Sequence, residues 1–106
     1  MTSTFSFANR LDYSDVTPFE IVRVVSDKTV EIRGMIANRD TTWTPEIVPG
    51  GFVGHCTNQD EQRWIILSDP TRPTFRIRLN KRGWEDKWGN RYSLATQPRR
   101  FHDYNF

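Results

Sequence analysis

His55 and Cys56 are the two adjacent side chains of this sequence with the chemistry of a nucleophile and its base. A thiol nucleophile needs an imidazole beside its sulfur and a third group to orient that imidazole. Adjacent residues of an extended chain point to opposite faces. His55 is therefore poorly placed to activate Cys56, and His102 would serve only if the C-terminal tail folds back. The bland alternative makes Cys56 a small buried hydrophobe and His55 a loop residue. The pair stands in an unusual context, Pro49-Gly50-Gly51-Phe52-Val53-Gly54-His55-Cys56-Thr57-Asn58. A glycine-rich loop cradles phosphate when it leads from a strand into a helix and carries a Lys. No Lys follows here and no helical pattern does either, so the stretch reads as a structural loop. Phe52 is expected to plug the core, with Asn58, Gln59 and Gln62 satisfying loop amides and carbonyls. With one Cys and two His, a dedicated zinc site is not expected. No cofactor is implied.

A second group of residues has binding chemistry. Arg76, Arg78, Lys81, Arg82, Trp84, Lys87, Trp88, Arg91 and Tyr92 interleave cations with large rings. Guanidinium groups fork onto phosphates and carboxylates. Exposed rings stack on bases, and Trp and Arg also dominate protein interfaces. Arg76 and Arg78 share one face of an alternating strand, so reversing their charge is expected to spare the fold. The plain alternative buries Trp84 and Trp88 beneath solvated Arg stems. The acidic residues Asp12, Asp15, Glu20, Asp27, Glu31, Asp40, Asp60 and Glu61 are scattered and read as solvated.

The charge is unevenly divided. Residues 1–71 carry six Lys/Arg against ten Asp/Glu, and residues 72–106 carry nine against three. Such asymmetry fits a polyanionic partner or two segments that attract each other in the fold. A length of 106 residues fits one domain, 1–106. Mean hydropathy is −0.70, but four Trp, three Tyr and seven Phe supply a core. No apolar run approaches the roughly 20 residues that span a bilayer, and the N-terminus lacks the features of a signal peptide. A lone Cys suits a reducing cytoplasm. The expected location is the cytoplasm, with no membrane partner.

The elements that would position these residues are short strands. Phe19 to Val25 and Thr29 to Ala37 form a hairpin across Ser26-Asp27-Lys28, with Gly34 marking a bulge or bend. Residues 63–67 read as a buried strand. Thr74 to Asn80 alternates, with Phe75, Ile77 and Leu79 inward. Lys81 to Glu85 and Arg91 to Leu94 flank a turn at 86–90. Residues 1–17 read as an arm or short helical turn, 38–62 as a long packed loop, and 98–106 as a docked tail. The predicted fold is all-β: a small, strongly bent antiparallel barrel of five or six strands, like SH3 or OB architecture, with packed terminal arms.

The segment 49–64, Pro-Gly-Gly-Phe-Val-Gly-His-Cys-Thr-Asn-Gln-Asp-Glu-Gln-Arg-Trp, and the closing Phe-His-Asp-Tyr-Asn-Phe carry a resemblance. On them the chain resembles a family of small proteins from phages and mobile elements, from the strand near residue 19 to the last residue. Proteins of that size and origin include inhibitors of host defence systems, anti-CRISPR proteins among them. The resemblance carries no activity over by residue, but it favours such an inhibitor over a metabolic enzyme. The expected function is that of a non-enzymatic protein that occupies a surface of a host defence nuclease or of its guide RNA/DNA complex. The competing expectation is a small barrel that binds nucleic acid directly as an accessory protein. A Cys-dependent enzyme is the third.

Overall fold

The structure is a computed structural model and describes residues 5–49 and 54–105. Its order is β1 (Phe7–Leu11), β2 (Val16–Ser26), β3 (Thr29–Gly34), β4 (Ile36–Arg39), β5 (Ile47–Val48), β6 (His55–Cys56), a 3-10 turn (Gln59–Glu61), β7 (Trp64–Leu67), β8 (Thr74–Asn80), β9 (Gly83–Glu85) and β10 (Arg91–Ala95). Six strands close a barrel in the order β1-β10-β9-β8-β3-β2, every pairing antiparallel. The predicted all-β barrel is the fold.

The alternation that marks β3 and β8 builds the interior. Ile32 and Ile77 are fully buried, joined by Ala8, Phe19, Val30 and Tyr92. Phe75, Trp84, Ile21 and Leu94 pack partly buried against them. The rings of Phe19 and Phe75 meet edge to face at 5.7 Å, and those of Phe19 and Tyr92 at 5.4 Å. Such pairs contribute about 0.5–1.5 kcal/mol beyond area burial. Ile77→Ala would leave a cavity in this small core. A loss of about 2–5 kcal/mol is expected, measured by denaturant unfolding. A loss below about 1 kcal/mol would show that Ile77 is not the centre of the core.

Several elements differ from expectation. Residues 7–11, expected in an arm, form a barrel strand between β2 and β10. The alternation is hidden because both Ala8 and Asn9 are buried. Asn9 lies beneath the chain leaving β10: its Nδ2 donates to Gln97 O at 3.1 Å, and Arg99 N donates to its Oδ1 at 2.9 Å. Residues 64–67 are not a buried strand. β7 pairs with β4 alone in a two-stranded ribbon outside the barrel, so Ile65 and Leu67 are half exposed. Leu79, expected inward, is 39% exposed beside the β8–β9 turn. The long loop contains β5 and β6, paired as a second small ribbon. At Gly54 an added Cβ would lie 2.3 Å from Ile47 Cγ2, so only glycine lets the two strands of that ribbon approach so closely.

The C-terminal tail docks. Val16 and Phe101 exchange backbone hydrogen bonds of 2.9 and 3.0 Å. Beyond them, side-chain amides replace a ladder. Asn105 bonds both the N–H and the C=O of Cys56, at 2.6 and 2.9 Å. Gln62 bonds both those of His102, each at 2.9 Å, and Gln59 Oε1 accepts from Tyr104 N.

Candidate binding surface

Trp88 and the neighbouring Lys87 owe their position to one buried carboxylate. β9 leaves the ladder after Glu85, and Asp86 N donates to Asn90 O at 3.1 Å. The Asp86 carboxylate then organises the turn. It accepts from Trp88 N, Asn90 N, Asn90 Nδ2 and Tyr92 Oη, all at 2.9 Å. Burial pushes its pKa up, but these donors outweigh burial and hold it below the ordinary carboxylate range. Burial and the Asp86 hydrogen bond push the Tyr92 hydroxyl well above its usual value. Gly89, at φ +87°, supplies the left-handed step that closes the turn.

The turn is bent back so that Trp88 meets Phe75 edge to face at 5.7 Å, while the residue stays 64% exposed. Lys87 Nζ sits 4.8 Å from the same ring. Between the turn and β8 lies an open groove of about 490 Å³, lined by Phe75, Arg76, Arg78, Asn80, Glu85, Asp86, Lys87 and Trp88. Arg76, Arg78, Lys87 and Trp88, four of the candidate binding residues, are therefore brought to one place.

The others go elsewhere. Arg91 lies across β9 from Arg78, with Glu85 between them. Lys81 and Arg82 are exposed in the β8–β9 turn. Trp84 packs against the core, and Tyr92 is a core residue rather than part of an exposed face. Their alternation with Glu85 and Arg91 puts them on the inward side of β9 and β10.

The outward side is less uniformly basic than the local sequence suggests. Pairing sets Glu31 of β3 directly between Arg23 and Arg76, at 3.7 and 3.6 Å from their guanidinium nitrogens. Glu85 is in register between Arg78 and Arg91 without an ion pair to either, and its Oε1 accepts from Asn80 Nδ2 at 2.7 Å. Two Arg–Glu–Arg rows thus run across the strands. Reading β8 alone missed them because Glu31 lies 45 positions before Arg76. The signal was the charged side of the β3 alternation, Glu31 and Arg33. Among the described residues no carboxylate lies within ion-pair distance of Arg78, Lys81, Arg82, Lys87 or Arg91.

The other candidate site has a different character. His55 is exposed and Cys56 buried, on opposite faces of β6. The Cys56 thiol has the Asn58 Oδ1 as its partner, at 3.4 Å. Asn58 also accepts from Glu46 N at 2.7 Å and donates to Thr44 O at 2.9 Å. His102 does return with the tail, but its Nδ1 faces Asp15 at 3.8 Å and its ring packs on Tyr104. Pro49 is exposed. Gly50, Gly51 and the expected core plug Phe52 lie outside the described residues. No group of three or more His, Cys, Asp or Glu among the described residues could hold a metal ion. None of their helices is long and apolar enough to cross a membrane. No protein-family model, curated protein or solved structure matches the chain.

Proposed function

We propose that this chain is a non-enzymatic binding protein that docks through the β8 to β10 face on a protein surface. The setting that the resemblance favours is inhibition of a host defence nuclease, or of its guide complex, by a phage or mobile-element protein. Its place of action would then be the cytoplasm of the bacterial host. The observation that carries this reading is the exposed Trp88, braced on Phe75 and flanked by Arg76, Arg78 and Lys87 around one groove. A braced ring with Arg neighbours has the composition of an interface hot spot.

Direct binding of nucleic acid is the second reading, favoured by the five cations from Arg78 to Arg91 that have no ion pair among the described residues. Glu31 and Glu85 weigh against it. A polyanion gains most from an unbroken row of cations, whereas a protein surface can match an Arg–Glu–Arg row charge for charge. Capture of partners from a bacterial lysate, with and without nuclease treatment, separates the two. A protein retained after nuclease, and lost with a Trp88→Ala bait, supports the first. Loss of every partner on nuclease treatment supports the second.

A Cys-dependent activity is not part of this reading. The Cys56→Ser chain is expected to bind its partner as the parent does, with at most a modest loss of stability. The check is parallel capture and thermal unfolding. Complete loss of function in a Cys56→Ser chain that still folds would restore the nucleophile.

A further inference from the structure

The groove has a main-chain side as well as a charged one. Leu79 N donates to Lys28 O at 2.8 Å, toward the β3 side of β8. Backbone groups of an antiparallel strand alternate between its two edges. Those of Thr74, Arg76 and Arg78 therefore point to the β9 side. Arg78 finds Glu85 there, and the β8–β9 pairing ends at that pair. Beyond it Asp86 turns its N–H to Asn90 rather than to β8. No strand of the described residues pairs with Thr74 or Arg76 on that edge, and the groove opens beside Arg76.

We propose that this groove accepts an extended acidic segment of a partner protein as a short added strand. The N–H and C=O of Arg76 would continue the ladder where β9 stops. Alternate side chains of the segment would bring carboxylates to Arg76, Arg78 and Lys87, with Trp88 as the apolar end wall. Strand addition draws its affinity from main-chain bonds and its selectivity from alternate side chains. Acidic character follows from the lining. Arg76, Arg78 and Lys87 outnumber its two carboxylates, Asp86 held in the turn and Glu85 bonded to Asn80, and Arg78 and Lys87 have no ion pair among the described residues. Carboxylates at alternate positions can meet these spaced cations, whereas the continuous charge of a nucleic acid would also meet Glu85. This inference rests on the protein-binding reading and adds the form of the ligand.

The test is a titration of the full chain, labelled for amide nuclear magnetic resonance, with an acetylated and amidated peptide that alternates Glu and Val. The Arg76 amide and the Trp88 indole are followed. A saturable downfield shift of the Arg76 amide, with slowed exchange, is expected. The same peptide N-methylated at alternate amides should bind on the order of tenfold more weakly, and a Lys-for-Glu peptide should not bind. An Arg76 amide unmoved at millimolar peptide would overturn the proposal. So would equal binding of the N-methylated peptide, or tighter binding of oligothymidylate at the same residues. If partner capture still depends on Trp88 in such a case, the face remains a protein surface without strand addition. Capture that ignores Trp88 would instead overturn the protein-binding reading itself.

Discussion

Asp86→Ala is expected to lower stability by about 2–4 kcal/mol and to abolish partner binding together with it. Four donors converge on this carboxylate, and removing it leaves the buried Tyr92 hydroxyl and the part-buried amides of Trp88 and Asn90 without this partner. Each such orphan costs about 1–3 kcal/mol where water cannot reach it. The turn that carries Trp88 should then open. The same residue gives the protein a sign in pH. Its folded pKa lies below its unfolded value, which is about 3.9. Its contribution is therefore present above about pH 4 and is lost as pH falls through the folded pKa. Tyr92 acts in the opposite sense. Its folded pKa is raised, so its contribution is complete below about pH 10 and fades as pH rises further. Denaturant unfolding of the parent and of Asp86→Asn across pH 2 to 7 checks the acid limb. The parent should lose stability below about pH 4 more steeply than the variant. Parallel curves would show that Asp86 does not hold the turn.

Trp88→Ala should act on binding rather than folding. The residue is mostly exposed, so removal of its ring forfeits chiefly the Phe75 edge contact and the Lys87 cation–π contact. Together these amount to about 1–2 kcal/mol. A central aromatic anchor in an interface contributes about 2 kcal/mol or more, roughly thirtyfold in affinity. Calorimetric titration of the captured partner, beside thermal unfolding of the variant, separates the two effects. An affinity within threefold of the parent would remove Trp88 from the interface.

The barrel was legible wherever one face of a strand is wet. Thr29 to Arg33 and Thr74 to Arg78 alternate because Val30, Ile32, Phe75 and Ile77 face the core while their charged neighbours face water. β1 was not legible, because Asn9 is buried under the tail and gives that strand two covered faces. β7 was misread from its apolar run, since a two-stranded ribbon leaves Ile65 and Leu67 half exposed without any local sign of it. The candidate site was legible in part. Arg76, Arg78, Lys87 and Trp88 share a groove, but Trp84 and Tyr92 alternate to the inside of the same hairpin. The intruding Glu31 and Glu85 follow from cross-strand register, which local spacing does not contain. They also bear on how the face should be tested. Reversing Arg76 and Arg78 to Glu would set like charges directly against Glu31 and Glu85, so alanine is the cleaner replacement.

The most direct measurement is therefore capture from nuclease-treated bacterial lysate by the Arg76→Ala/Arg78→Ala chain, beside the parent and after thermal unfolding has shown the two equally folded. Docking through the β8 to β10 face predicts that the parent retains a protein partner and that the double variant loses most of it. Equal recovery of the same partner by both chains would contradict the account and leave this face merely solvated.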